Sequence, residues 1–336
     1  MQFHAYFVSC ILALGFVACA DAGEAADTRS NESDTPAMTM DQPIKGMWVW
    51  SGQYIFQSDQ QDELLAFCQR HGINRLLLQV HYASSSDPPV IEQPQRYAEL
   101  IAKAARLGIG VEALDGEKSM GLSENQPRTL AVLDAILELN KSLPEGSRFV
   151  GVHYDIEPYL LEDWSVAVRR PVIIKDLLDY YVLAKERIRA ADPEMTLSCD
   201  IPFWFDTQTS EDGLPLAVEF AGEIKPAQQH IQDICDYIGI MSYRRNAVGP
   251  NSITALVADE RAYAAKIGKT VCAAVETGEY PAVPTISFYG QPASVFKDNF
   301  SLAWQTLENE PGFGGMLIHC YPFVRDILEP GAAPGE

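Results

Sequence analysis

The sequence predicts a (β/α)8 barrel, also called a TIM barrel, over residues 46–328. Eight strand-length apolar runs recur along this region, and amphipathic segments with clear helix ends separate them. The region spans roughly 280 residues, which is a usual length for this fold. Apolar runs with little polar interruption are typical of parallel strands that helices cover on both faces. Eight cycles of strand and helix therefore predict one closed barrel.

The predicted strands are short, and the longer ones are rich in Val, Ile, Leu or aromatic residues. In chain order they cover Gly46–Trp50, Arg75–Tyr82, Gly110–Leu114, Phe149–Glu157, Thr196–Phe203, Tyr237–Tyr243, Thr270–Glu276 and Gly315–Tyr321. Active sites of this fold lie at the carboxyl ends of the strands and in the loops that follow. Polar residues at those ends are therefore the candidate site residues.

The segments between the strands carry start and stop signals for helices. Residues 58–61 form a capping-box pattern, and Gly72 supplies the stop for that first helix. Prolines tolerated in a first helical turn, and glycines that end helices, mark the others. These residues are Pro94, Pro127, Pro171 and Pro292 at helix starts, and Gly108 and Gly268 at helix ends.

The first 19 residues contain no charged side chain and include an apolar run over residues 3–19. This run is shorter than the roughly 20 residues of a membrane-spanning helix, and it predicts an export signal. The small residue before Cys19 resembles a bacterial lipoprotein signal, in which the cysteine becomes the lipidated amino terminus. Ordinary cleavage near Ala20 or Ala22 is the alternative. We expect an exported protein that is lipid-anchored at the cell envelope, on its periplasmic or surface side.

Composition restricts the partners of this protein. Acidic residues outnumber basic ones by 46 to 25, for a net charge of −21, so the chain repels nucleic acid and anionic lipid. We expect no nucleic-acid partner, and membrane contact only through the lipid anchor. Residues 20–45 have almost no large apolar side chain and predict a flexible acidic linker, while residues 329–336 form a C-terminal tail.

Five cysteines follow Cys19, and none of them belongs to a CxxC pair. Each has apolar neighbours in the sequence, which favours buried inert thiols over disulfides or metal ligands. They are Cys68, Cys199, Cys235, Cys272 and Cys320.

The fourth predicted strand carries three ionisable residues on one face. Because side chains alternate along a strand, His153, Asp155 and Glu157 all point into the barrel. Burying such groups is costly unless they are hydrogen-bonded or used in chemistry. Two neighbouring carboxyls also raise the pKa of one of them, and a carboxylic acid that stays protonated near neutrality can cleave a glycosidic bond. Glu157, nearest the strand end, is the predicted general acid, and Asp155 orients it or balances its charge.

Three short motifs resemble glycoside hydrolase family 18, the chitinase and endo-N-acetylglucosaminidase family. Asp155 and Glu157 match the last half of its DxxDxDxE signature, residues 241–243 resemble its Met-x-Tyr motif, and residues 314–316 resemble its glycine pair before strand eight. The resemblance implies that Glu157 protonates the leaving oxygen. It also implies that Asp155 and Tyr243 position a 2-acetamido group, whose carbonyl oxygen is the nucleophile.

The chain departs from this family's pattern at three positions. Val150 and His153 stand where the family has two earlier aspartates, and Arg244 follows Tyr243 where Asp is common. A surface glycan-binding protein that has kept the barrel but lost catalysis is therefore one alternative.

A second mechanism is also open. Glu157 and Pro158 resemble the Asn-Glu-Pro of a large clan of retaining barrel glycosidases, although Ile156 replaces the Asn. The nucleophile of that clan is a Glu that ends strand seven, where this chain has Glu276. Two carboxyls about 5–5.5 Å apart would imply a covalent glycosyl-enzyme.

Other residues near the strand ends are candidates for contacts with a carbohydrate substrate, by stacking or by hydrogen bonds. They are Trp50, His81, His153, Trp204, Arg244, His319 and Tyr321. The three histidines and Asp155 also permit a zinc site, as in some barrel hydrolases. No HxH or HxxxH spacing accompanies them, so we predict neither a metal nor another cofactor.

Overall fold

The computed structural model describes residues 42–83 and 86–331. Its strands are β1 (Ile44–Val49), β2 (Arg75–Gln79), β3 (Gly110–Asp115), β4 (Gly151–Tyr154), β5 (Thr196–Pro202), β6 (Ala217–Phe220), β7 (Glu223–Pro226), β8 (Tyr237–Met241), β9 (Thr270–Glu276) and β10 (Phe313–His319). Its helices are α1 (Gln53–Phe56), α2 (Ser58–His71), α3 (Pro94–Arg106), α4 (Gln126–Ser142), α5 (Arg170–Ala191), α6 (Ala227–Ile234), α7 (Ala258–Ile267), α8 (Ala293–Leu307) and α9 (Tyr321–Leu328).

Eight of these strands form a closed parallel barrel, in the order β1-β10-β9-β8-β5-β4-β3-β2 around the ring. The predicted fold is confirmed. β9 has the predicted bounds, whereas β1 begins at Ile44 rather than Gly46. The predicted export signal, Cys19 and most of the predicted linker lie outside the described residues.

Helix ends follow the sequence signals with one exception. Gly72 ends α2 in a left-handed conformation with φ 64°, and Gly268 ends α7 with φ 71°, both favourable for glycine. The predicted capping box is wrong, because no side chain caps α2. α1 leads directly into α2, and the carbonyl of Gln57 between them accepts the N–H of Gln61 at 2.9 Å.

An antiparallel hairpin of β6 and β7 interrupts the strand and helix cycle between β5 and α6. It is a separate two-stranded sheet and is not part of the barrel. The sequence analysis did not identify it, since its side chains are mostly partly or fully exposed and lack a long apolar run.

Apolar side chains fill two regions of the described chain. The larger core lies where the helices pack against the outside of the barrel. A smaller cluster of inward-facing side chains includes Trp48, Leu77, Leu114, Tyr237, Cys272, Ala274 and Leu317. The five cysteines predicted to be buried thiols are all buried and free. No helix within residues 42–83 and 86–331 is long and apolar enough to cross a membrane.

Candidate active site

The lower interior of the barrel contains a buried ion pair. Arg75 at the start of β2 donates from Nη1 to Oε1 of Glu112 on β3 at 2.7 Å. The Tyr237 hydroxyl donates to the same oxygen at 2.9 Å, and the Ser198 hydroxyl donates to Oε2 at 2.7 Å. Glu112 has no exposed surface. These donors compensate for the loss of water around its carboxylate.

His153 extends this network upward. Its Nε2 lies 2.6 Å from Oδ2 of Asp200, and its Nδ1 lies 2.8 Å from the Ser198 hydroxyl. Because that hydroxyl gives its hydrogen to Glu112, Nδ1 must donate, and the ring carries a proton on both nitrogens. Burial lowers the pKa of His153, but the charges of Asp200 and Glu112 raise it above its usual value overall.

Asp200 forms the top of this interior network. Its Oδ2 also accepts the Trp48 indole N–H at 3.0 Å. Its Oδ1 occupies space beside Gly239 on the neighbouring strand β8, where a Cβ would lie 2.1 Å away. Arg75, Glu112, His153 and Asp200 thus alternate in charge, and we call these four residues the interior column.

The mouth of the barrel has a different character. β4 ends at Tyr154, so Asp155 and Glu157 lie just beyond it, and both are partly exposed. Oδ1 of Asp155 is buried without a hydrogen-bond partner among the described residues. Burial, followed by the charges of Glu157, Asp200 and Glu276, raises the pKa of Asp155 well above its usual value. The raised pKa favours the protonated form of Asp155, which can donate a hydrogen bond.

Glu157 accepts a hydrogen bond from the hydroxyl of Tyr159. Burial raises its pKa, the Tyr159 bond and His319 lower it, and Asp200 and Glu276 raise it further. The net effect is a raised pKa for Glu157. The Tyr159 ring also packs edge-on against Trp204, with ring centres 5.3 Å apart. Glu157 therefore lies beside an aromatic wall that includes the predicted sugar contact Trp204.

Glu276, at the end of β9, is more enclosed. Its Oε1 accepts the backbone N–H groups of Thr277 and Gly278 at 2.8 and 2.5 Å, and its Oε2 lies 2.8 Å from Nδ1 of His319. Its side chain has no exposed surface. Charge-assisted bonds to both oxygens hold this carboxylate in one position.

His319 connects Glu276 to Trp50. The Trp50 indole N–H lies 2.8 Å from Nε2 of His319. An indole N–H can only donate, so Nε2 accepts and the ring proton on Nδ1 goes to Glu276. Burial lowers the pKa of His319, and Glu276 raises it above its usual value overall. The Trp50 bond opposes this effect, because it forms only with the neutral ring.

Tyr243 completes the group at the mouth. Its ring lies nearly parallel to His319, with centres 6.4 Å apart and planes 27° from each other. Burial, followed by the charges of Glu276 and Asp155, raises the pKa of Tyr243 well above its usual value. The predicted catalytic residues Asp155, Glu157, Tyr243 and Glu276 therefore influence one another electrostatically, as their positions in sequence implied.

Three predicted substrate contacts do not belong to this group. His153 has no exposed surface, so it lies below the mouth rather than in it. Tyr321 is also fully buried, because its ring packs against Tyr54 at 4.7 Å and Phe67 at 5.3 Å. His81 packs against Phe56 at 5.4 Å, away from the carboxyls. Within residues 42–83 and 86–331, no cluster of three or more His, Cys, Asp or Glu side chains is arranged to hold a metal.

Arg75, Glu112 and Asp200 are not among the residues predicted from sequence. Each lies inside a predicted strand, on the same face as a buried residue two positions away. Arg75 precedes the inward-facing Leu77 by two residues, as Glu112 precedes Leu114. That alternation was the available signal. The alternation does not show, however, which charged residue of the neighbouring strand each of them faces.

No family model matches the sequence, and no curated protein is significantly similar to it. Solved structures do resemble the fold. An endo-1,4-β-mannanase from Eisenia fetida has a TM-score of 0.56 at 13% identity, covering 84% of this chain and 86% of the other. A β-1,4-mannanase from the sea hare Aplysia kurodai has a TM-score of 0.51 at 12% identity, covering 88% of each chain.

A class V chitinase from Pseudomonas fluorescens Pf-5 is similar to the same extent, with a TM-score of 0.51 at 12% identity, covering 85% of this chain and 97% of the other. At such low identity these similarities show a shared barrel and nothing finer. What the mouth of this barrel does must be argued from its own side chains.

Proposed function

We propose that this protein is an exported glycoside hydrolase in which Glu157 protonates the glycosidic oxygen of a carbohydrate substrate. One observation carries the proposal: Asp155 and Glu157 are partly exposed, have raised pKa values, and contact no Lys or Arg within the described residues. Carboxyls in that state at a barrel mouth are suited to general acid catalysis. The barrels of known mannanases and chitinases support the same class of reaction. Export is supported by the apolar run at residues 3–19.

Substrate assistance is the mechanism that we favour, as the resemblance to family 18 implies. A protonated Asp155 can donate a hydrogen bond to a 2-acetamido group, and Tyr243 lies within electrostatic range of it. Glu276 is less suited to act as a nucleophile. Both of its oxygens accept hydrogen bonds, and its side chain has no exposed surface. We assign Glu276 to holding the ring of His319 in place.

Replacing the acid tests the proposal directly. Glu157→Gln keeps the shape of the side chain and removes its proton, so hydrolysis should fall by about 10²–10⁴-fold, the usual contribution of a general acid. The melting temperature should stay close to that of the wild type. Glu162→Gln is the matched control, because Glu162 is exposed and lies shortly after Glu157 in the chain. Near wild-type turnover by Glu157→Gln would refute the assignment.

Substitution of Glu276 distinguishes the substrate-assisted mechanism from the covalent one. If substrate assistance operates, turnover should be restricted to 2-acetamido sugars such as chitooligosaccharides, and azide should not restore the activity of Glu276→Ala. Azide rescue together with turnover of mannooligosaccharides would instead favour a covalent glycosyl-enzyme. Glycan binding without turnover of any substrate would favour a binding protein that has lost catalysis.

A further inference from the structure

Arg244 lies at the rim of the same mouth, directly after Tyr243, and is partly buried. Its Nε and Nη2 donate to Oδ1 of Asn251 at 3.0 and 2.9 Å, and its Nη1 donates to the Tyr243 carbonyl at 2.7 Å. Its guanidinium carbon lies 5.0 Å from the centre of the Phe203 ring. An amide, a carbonyl and an aromatic face therefore hold the guanidinium in one position.

All of these partners are neutral. Burial lowers the pKa of Arg244, and no charge within the described part of the chain offsets that effect. Other buried arginines have a counterion, such as Arg170 with Asp212 and Arg75 with Glu112. No Asp or Glu of residues 42–83 and 86–331 forms an ion pair with Arg244. Partial desolvation of a cation without a counterion is costly, which is typical of a site that receives an anion from a ligand.

Arg244 is linked to the proposed acid through residues that lie between them. Phe203, which it stacks on, is followed by Trp204, whose ring lies 5.3 Å from that of Tyr159. Tyr159 in turn donates to Glu157. The segment of residues 203–204 thus contributes one ring to the guanidinium and the next to the aromatic wall beside the acid, and we expect a glycan bound at this mouth to reach both.

We propose that Arg244 binds a carboxylate on the glycan, so that the preferred substrate carries an acidic group in addition to the 2-acetamido sugar that lies at Glu157. This inference rests on the proposed function. An arginine has five N–H groups, and three of those of Arg244 are used. One N–H remains on each of Nη1 and Nη2, and such a pair suits both oxygens of a carboxylate. A hexuronic acid and an amino sugar with a lactyl ether both carry this group.

Binding measurements in a Glu157→Gln background test the inference without turnover. The first pair of probes is an oligohexuronate and its carboxyl-reduced form. The second is an oligosaccharide of alternating N-acetylglucosamine and N-acetylmuramic acid, and a chitooligosaccharide of the same length. Calorimetry should show at least tenfold tighter binding of the acidic member in one pair, and that pair identifies the source of the carboxylate.

Substitution of Arg244 should remove this preference. Adding Arg244→Gln should bring the ratio of the two affinities close to one, and Arg244→Lys should give an intermediate ratio because it keeps the charge without the planar fork. Arg106→Gln is the control, since it removes an equal charge from the exposed end of α3 and should leave the ratio unchanged.

The failures are distinguishable. Equal binding of acidic and neutral members, or an equal loss for both on Arg244→Gln, would overturn the role of Arg244 and leave the proposed hydrolase intact. Turnover of neutral glycans by the wild type with no acidic preference would do the same. Absence of glycan binding and turnover for every probe would overturn both proposals. The melting temperature of each variant reports whether it folds.

Discussion

Carboxylates occur at two levels of this barrel, and their surroundings differ. In the interior column, Glu112 faces Arg75 and Asp200 faces a doubly protonated His153. At the mouth, Asp155 and Glu157 contact no Lys or Arg within the described chain, and burial is the largest cause of the raised pKa of each. His319 lowers the pKa of Glu157, but by less than burial raises it. Burial thus affects the carboxyls at both levels. Only Glu112 and Asp200, however, are paired with an Arg or a His side chain.

This difference distinguishes carboxyls that stabilise the fold from carboxyls that are suited to acid catalysis. A buried acid that is matched with a cation remains ionised and holds strands together, whereas a buried acid without one keeps its proton. The two histidines follow the same division. His153 is charged between Asp200 and Glu112, whereas Trp50 favours the neutral form of His319. We therefore assign Asp155 and Glu157 to catalysis because they lack a contact with a basic residue, and not because they are buried.

Breaking the interior column should have the largest effect on stability. Arg75→Met leaves the Glu112 carboxylate buried without its cation, which should lower the free energy of unfolding by about 3–5 kcal/mol. Urea unfolding measures this loss. Adding Glu112→Gln should recover most of it, because the amide carries no charge to be left unpaired and its one oxygen still accepts from either the Ser198 or the Tyr237 hydroxyl. A loss below about 1 kcal/mol would show that the pair contributes little.

Asp115, at the end of β3, is a buried acid that belongs to neither the interior column nor the predicted catalytic group. Burial raises its pKa to about 7, against the lowering effect of the Gly116 N–H. A raised folded-state pKa means that stability is lost as pH rises from about 4 to 7, at up to roughly 1.4 kcal/mol per pH unit. Asp115→Asn should therefore be more stable than the wild type by roughly 2–3 kcal/mol at pH 8.5.

The pH dependence is the check on this prediction. Thermal unfolding of wild type and Asp115→Asn should converge below about pH 3, where the carboxyl is protonated in both states. A constant difference at every pH would mean that the substitution acts through packing instead. Asp134→Asn provides the control, because Asp134 is exposed.

At the mouth, removing an acid should stabilise the fold. Asp155 has a raised pKa, so its ionisation opposes folding as pH rises above about 4, the value for an unfolded chain. Asp155→Asn should raise the free energy of unfolding at pH 8 by roughly 1–2 kcal/mol, a usual gain at a functional site. A loss of 3 kcal/mol or more, as expected for Arg75→Met, would erase the distinction between the two levels.

The smallest effect concerns the two histidines. Trp50→Phe removes the donor that holds His319 neutral, so the pKa of His319 should rise by roughly 0.5–1 pH unit, the equivalent of one hydrogen bond. Titration of the imidazole signals by NMR measures it. Trp204→Phe is the control, because Trp204 stacks on Tyr159 and not on His319. An unchanged or lowered pKa would contradict the assigned tautomer.

The sequence predicted the barrel well because its signal is local. β9 was predicted to the residue, since Thr270–Glu276 is a continuous apolar run that ends in a charge. β4 was predicted too long, because Asp155 and Glu157 continue the alternation of the strand after its backbone pairing stops at Tyr154. Pattern alone does not show where a hydrogen-bonded ladder ends.

The interior beneath the site was only partly predictable, because each ion pair there joins residues of two strands that lie more than 30 positions apart in the chain. Nothing near Glu112 in sequence shows that Arg75 faces it, since this requires the register between β2 and β3. The fully buried position of Tyr321 likewise depends on Tyr54 and Phe67, which lie far away in the chain. Asp155 and Glu157 were identified because both lie on one short segment.

Gly239 illustrates how one small residue constrains the evolution of this barrel. The Asp200 carboxylate fills the space that any larger side chain at position 239 would need. In a family of descendants, aspartate at 200 should therefore co-occur with glycine at 239, and lineages that lose one should be free to change the other. A saturation library at position 239 should yield folded survivors only after position 200 has become smaller.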